Sequence, residues 1–501
     1  MNATAQPRKG MVIFGAGGPG GPGAKLVAMG GGRGIQQTVT GEQWDIVGID
    51  QRGIGDTEPA TQCLPPGQNN LMKRNTVLER NFDYSTRVPE AQLRASLLRQ
   101  QQEMDALVQV QYRMCGVSMG RNVAFMGTTT VVRDIEFVTR VLEGEDALIN
   151  YYGVSYGSIQ GQYLVNMFPD RVGKVAIDGI VDGVTWANQP RYKSYRQWLS
   201  STEDAYDWFV NECAKAGTGV CALDTAGDTQ NAGKIRALIE KLFDDLYEHP
   251  LSVSDRRFWG VVTSGMARTL LFRMLQMPTI WPTTAFALSQ AMHGHDGRAL
   301  LMLDSVFSGY QDLERQAVSC NDAPKPPLYN PPRNEQLVDE IWSVARNVSA
   351  FAFSILTAEP DASCDYWPVA PPERFTGPWN HTLRNPILVM SNTADPVTPI
   401  SSARLVKELL GDSAILVLQH GPGHGTSSVP TLCTINKARA YFTDDILPKD
   451  GHICELERPL FPDSGRWYLD GYSAQERARL KAAEELYLMM KGVDLSVLPR
   501  V

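Results

Sequence analysis

The stretch Asp146–Asp170 constrains the fold more than any other: DALINYY, then Gly153-Val154-Ser155-Tyr156-Gly157, then SIQGQYLVNMFPD. An apolar, aromatic run of strand character passes directly into a helix-compatible run, with G-x-S-x-G between them. A strand that turns into a helix this abruptly strains the backbone at the serine. Side chains at the two glycine positions would collide with neighbouring backbone. The turn leaves the Ser155 hydroxyl exposed at the carboxyl end of a strand, with the N–H of Tyr156 close by to bind an oxyanion. The expected class is α/β, a mostly parallel sheet flanked by helices.

Gly116-Val117-Ser118-Met119-Gly120 repeats the pattern. The RMCG ahead of it is no strand, and no helix begins at once after Gly120. Ser118 is therefore expected in a loop, and Ser155 is the candidate nucleophile.

The flanking chain completes a site. Met11–Phe14 reads as a strand running into a glycine-rich loop, Gly15 to Gly23. Gly15-x-Gly17-x-x-Gly20, with Asp50 closing the strand WDIVGID, is also the spacing of a dinucleotide-binding turn. Here Pro22 and Gly23 follow, and helix-like residues begin only at Ala24–Met29. That favours a loop whose bare N–H groups face a reaction centre. Asp50 and Arg52 read as a pair bracing their own loop. Thr128–Glu143 has a helical apolar period, and VGKVAIDGIVD (172–182) reads as another buried strand.

From about Thr185 to Phe375 the strand–helix alternation stops. The composition is helical and aromatic, with no strand-like run, and ends in the proline-rich PVAPPERFTGPWN. The alternation then returns. NPILVMSN leads to Asp395, and SAILVLQ, read as the last strand, leads to His420-Gly-Pro-Gly-His424. Ser155, Asp395, His424 is the chain order of a hydrolytic triad on an α/β sheet. His420 ends its strand and is expected to be structural. His293-Gly-His295-Asp296 lacks a third ligand, so no metal is expected, and no cofactor.

Composition excludes other classes. The 501 residues carry a net charge of −8 without a basic block, which argues against nucleic acid. No apolar run approaches the roughly 18 residues of a membrane span. MNATAQPRKG lacks the apolar stretch of a signal peptide, whereas eight cysteines and sequons at Asn347 and Asn380 fit a secretory route.

The chain resembles the tripeptidyl-aminopeptidase-like branch of the α/β-hydrolases, relatives of the proline iminopeptidases. The resemblance rests on GGPGGPG (17–23), DQRGIGDT (50–57), TTTVVRDIEFV (128–138), NYYGVSYGS (150–158), FPDRV (168–172), ADPVTP (394–399) and GHG (423–425). It implies an α/β-hydrolase fold with a large inserted helical cap. Ser155 becomes the nucleophile, Asp395 the acid and His424 the base, with the N–H groups of Gly18 and Tyr156 as oxyanion donors. The implied partner is a peptide or a small-molecule ester, thioester or lactone. Expected boundaries are a core at 1–184 and 376–450, a cap at 185–375 and a tail with a terminal helix at 451–501. Because the chain starts almost at the GGPG strand, the sheet is expected to lack an edge. On the secretory reading the cysteines should pair 433–454, 213–221, 63–115 and 320–364. An enzyme working from the amino end of a peptide must also hold an ammonium, for which Glu203, Asp204 and Asp207 are candidates.

Overall fold

The computed structural model describes residues 1–65, 67–74, 76–224, 232–306, 312–462 and 471–493. Its strands are β1 (Gly10–Gly15), β2 (Trp44–Gly48), β3 (Ile149–Val154), β4 (Val172–Asp178), β5 (Leu251–Ser254), β6 (Trp259–Val262), β7 (Ile387–Ala394), β8 (Ala414–Pro422) and β9 (His452–Glu455). Seven of them form one sheet in the order β2-β1-β3-β4-β7-β8-β9, parallel at every step. The helices that bear on the site are α1 (Glu90–Met119), α2 (Thr128–Glu143), α3 (Tyr156–Met167), α4 (Thr202–Ala216), α5 (Ser264–Leu275), α6 (Asp312–Asp322), α7 (Ala352–Ala358), α8 (Leu432–Thr443) and α9 (Ala474–Met490).

A sheet covered on both faces needs strands that are apolar throughout, and β1 (GMVIFG) is buried at every position. Alternate residues serve different layers. Ile13, Ile149 and Ile177 join an apolar cluster that continues through Trp186, Phe209, Leu270 and Phe351. Val12, Phe14, Tyr152 and Met390 face the other way, onto Phe442 of α8 and Leu486 of α9. The segment between β4 and β7 therefore shares its core with the sheet.

All eight cysteines pair as expected: 63–115, 213–221, 320–364 and 433–454. Several other expectations are corrected. The insert contains strands after all, because β5 and β6 form an antiparallel hairpin. Runs of four residues, half exposed, are too short to stand out in sequence. SAILVLQ is not the last strand, since β9 extends the sheet beyond β8 and Cys454 ties it to Cys433 of α8. The opposite edge strand is β2, beside which the first residues run without forming a strand: the amino group of Met1 donates to Ile46 O at 2.9 Å and Ile46 N donates to Met1 O at 2.8 Å. Asp50 and Arg52 do not pair. Asp50 accepts from the N–H groups of Ala24 and Asp56, while Arg52 reaches α2 and forms a two-pronged bond to Asp134. Residues 463–470 and 494–501 of the expected tail lie outside the described residues.

Candidate active site

β3 runs into Ser155, whose φ of 60° and ψ of −119° lie in a region that L-residues avoid, and α3 starts at the next residue. The glycine requirement is visible in the contacts. A Cβ on Gly153 would sit 2.3 Å from Gly157 O, and one on Gly157 would sit 2.3 Å from Gly15 O. Ser155 N donates to Asp178 O at 2.9 Å, which ties the turn to β4.

The structure brings Ser155, His424 and Asp395 together. Ser155 Oγ lies 2.8 Å from His424 Nε2, and His424 Nδ1 lies 3.0 and 3.1 Å from the two oxygens of Asp395. Asp395 directly follows β7, and His424 stands in the turn that follows β8. Asn392, buried at the end of β7, donates to the carbonyls of Pro422, Gly423 and Gly425 and so fixes that turn. The backbone N–H of His424 donates to Gln276 O at 2.9 Å, just beyond α5.

Asp395 is fully buried, and burial by itself would raise its pKa. His424, the Thr398 hydroxyl at 2.6 Å and the N–H groups of Val397, Thr398 and Gly425 outweigh that and hold it below the usual carboxylate value. Burial pulls the His424 pKa below 6.5; Asp395 opposes this, and the positive charge of Lys491 adds to it. A neutral imidazole against a hydroxyl, braced by an ionised carboxylate, can accept the hydroxyl proton.

The glycine loop lies against this group. A Cβ on Gly17 would come within 3.1 Å of Ser155 Cβ, a tighter contact than side chains ordinarily make. Arg315 of α6 donates to Gly18 O at 2.7 Å and orients that peptide. Tyr156 is the first residue of α3, so its N–H has no acceptor within the helix. A Cβ on Gly15 would overlap the Tyr151 hydroxyl, so the end of β1 also requires glycine.

Two hollows meet at Ser155. One, of about 170 Å³, is lined by Gly18, Tyr156, Trp186, Trp198, Arg315 and Glu359 among others. The second, of about 600 Å³, is lined by Gly17, Gly20, Asp50, Glu314, Tyr487 and Met490 among others. Gly18, Ser155, His424 and Lys491 border both.

Other candidates fall elsewhere. Ser118 is not in a loop but in the last turn of α1, exposed, donating to Cys63 O at 3.0 Å. Its helix continues to Met119 because Gly120, at φ 56°, supplies the stop. His420 Nδ1 is 2.9 Å from Glu455, on the surface. Glu203, Asp204 and Asp207 do not line the two hollows that border Ser155. Glu203 binds Arg236, the Ser349 hydroxyl and the Ala350 N–H, bolting α4 to the start of α7, and Asp207 faces Arg236 at 3.3 Å. Asp204 and Asp207 border a separate depression beside His420. Asp296 is bound by Arg298. Among the described residues, the one gathering of ligand-type side chains is Cys433, His452 and Cys454, where both sulfurs belong to a disulfide.

Sequence reasoning missed Thr398, which donates to Asp395 and lies 3.0 Å from His424 Nδ1, although a threonine three residues after an acid is a local turn signal. It also missed Gln276, Glu314 and Lys491, for which no local signal exists.

The family described as alpha/beta hydrolase fold matches residues 18–220, which include Ser155, and the family described as TAP-like protein matches residues 350–454, which include Asp395 and His424. The chain is 26% identical to the serine protease Hip1 of Mycobacterium tuberculosis over 89% of its own length and 81% of that protein. It is 28% identical to carboxylesterase B of the same organism, over 87% and 78%. It is 26% identical to the tripeptidyl aminopeptidase of Streptomyces lividans, over 40% and 36%. The sheet, the elbow and these two matches, one on each side of the insert, lead to one conclusion: the chain is a TAP-like α/β-hydrolase, and a serine hydrolase.

Proposed function

We propose that this serine hydrolase is an aminopeptidase-type peptidase that works through an acyl-enzyme on Ser155. The observation that carries the reading is the unbroken chain of contacts from Ser155 Oγ through His424 to buried Asp395, opening onto a cleft with an unpaired acid. In this reading His424 Nε2 takes the Ser155 proton as Oγ bonds to the scissile carbonyl carbon. The carbonyl oxygen, now an anion, receives the N–H groups of Gly18 and Tyr156. On collapse the C–N bond breaks and the leaving amine takes the proton from Nε2. Water then repeats the sequence on the ester. The segment 185–375 acts as the cap, since its Trp186, Trp198, Arg315 and Glu359 line the cleft beside Ser155.

The ammonium anchor moves from Glu203, Asp204 and Asp207 to Glu314. This half-buried carboxylate on α6 lines the second hollow and has no hydrogen bond or ion pair among the described residues; burial raises its pKa to about 7. A substrate ammonium would supply the missing charge. The serine protease and aminopeptidase names among the relatives support the peptidase reading. The relative named carboxylesterase B, with the apolar Trp186–Trp198 wall, supports an ester hydrolase as the second reading.

Fluorophosphonate labelling followed by peptide mapping tests the nucleophile. Label is expected on Ser155, absent in Ser155→Ala and retained in Ser118→Ala. Free-amino and N-acetylated peptide anilides test the substrate. A desolvated ammonium–carboxylate pair is worth on the order of 2–5 kcal/mol, so acetylation should lower kcat/KM by about two orders of magnitude or more. Glu314→Gln should erase that discrimination. Equal rates on both anilides in the native enzyme would move the assignment to the ester hydrolase.

A further inference from the structure

The helix at the end of the chain carries a charge into the cleft. α9 opens with Ser473 and Glu476 capping each other's backbone and packs Leu480, Leu486 and Tyr487 into the body. Its C-terminal end reaches the site beside Gln276, the residue that follows α5. The Tyr487 hydroxyl donates to Gln276 O at 2.6 Å, the same carbonyl that accepts from the His424 N–H. One turn on, Lys491 borders both hollows at Ser155.

The cations at this cleft differ in their partners. Arg315 is bound by Asp361 and Glu359, and Arg273 faces Asp304 at 3.5 Å. Asp395 is engaged by His424. Lys491 Nζ has a neutral partner, Gln276 Oε1 at 3.2 Å, and no carboxylate within ion-pair distance among the described residues. An ammonium placed beside a reactive serine without a counter-ion favours the arrival of an anion.

Building on the reading of Ser155 as the nucleophile, we propose that Lys491 Nζ, steadied by Gln276, is an anion subsite that binds a carboxylate carried by the substrate. The C-terminal helix is then part of the specificity apparatus. Burial lowers the pKa of Lys491 to about 8, with Asp395 and Glu359 opposing the shift. Tyr156, Arg273, Arg315, Glu359 and His424 border the first hollow with it, and Lys25, Asp50, Asp56, Glu314, His424 and Tyr487 border the second. The subsite is charged below about pH 8 and fades as the pH rises through that value.

Two pairs of esters test this on the full chain. p-Nitrophenyl hemiglutarate against p-nitrophenyl valerate puts the carboxylate on the acyl side, and 4-acetoxybenzoate against phenyl acetate puts it on the leaving side. For at least one pair, Lys491→Met should lower the charged-to-neutral ratio of kcat/KM at least 10-fold, mainly through KM of the charged ester. Lys491→Glu should lower it further, and Lys491→Arg should keep most of it. In the native enzyme that ratio should fall as the pH passes about 8, and in Lys491→Met the fall at that pH should be absent. Ratios unchanged by Lys491→Met and Lys491→Glu in both pairs would overturn the subsite. Turnover surviving in Ser155→Ala would instead sink the nucleophile reading, and the ratios would still score Lys491.

Discussion

Ser155 is held at φ 60° between two glycines that each lie about one Cβ from a backbone carbonyl. A strained residue of this kind costs about 1–3 kcal/mol and persists only when its surroundings fix it, here through Asp178 O and the start of α3. Its partners make measurable predictions. His424→Ala and Asp395→Asn should each lower kcat severely, Asp395→Asn by about 10⁴-fold because the imidazole then loses its orienting anion, while circular dichroism stays native. Thr398→Val removes a bond to a charged group worth about 1.5–3 kcal/mol, so kcat should fall by about 10- to 100-fold. In the proposed mechanism His424 acts as base only when neutral, and burial lowers its pKa from 6.5. The rate should therefore fall as the pH drops through a value under 6.5. An acid limb of kcat/KM centred at or above that value would contradict the burial argument.

Elements are joined by cross-links of unequal reach. Cys63–Cys115 and Cys320–Cys364 close loops of 52 and 44 residues, Cys433–Cys454 one of 21 and Cys213–Cys221 one of 8. Chain entropy makes the long closures worth about 4 kcal/mol each and the shortest about 2.5 kcal/mol. Double Cys→Ser variants should lose melting temperature in that order, with 213–221 the mildest. A larger loss at 213–221 than at 63–115 would show that native contacts outweigh loop closure. The strands and helices around the elbow were legible because strand, turn and helix differ in period and the turn demands glycine. β5, β6 and β9 were not. Each is four residues long, and their pairing depends on distant partners rather than on any local period.

Across the whole molecule, one apolar cluster runs from Ile13 and Ile149 in the sheet to Phe209, Leu270 and Phe351 in the insert. Sheet and insert should therefore unfold together. Tryptophan fluorescence and fluorophosphonate labelling of Ser155 should be lost in a single coincident thermal transition, and two separated transitions would count against the shared core. The sequence by itself determined what depends on neighbours along the chain. These are the elbow, the buried strands, the order Ser155, Asp395, His424, and the glycine-rich loop that follows β1. The acids were where it failed. STEDAYDWF looked suited to an ammonium, yet Glu203 serves Arg236 and the start of α7, while Glu314, in a helix with no such signature, lines the cleft. Which charges remain unpaired, and which end of the chain reaches the serine, was decided by the tertiary structure alone. A side chain's partners are fixed by which helices pack together, and residues hundreds of positions apart, such as Gln276 and Lys491, meet only when the core closes.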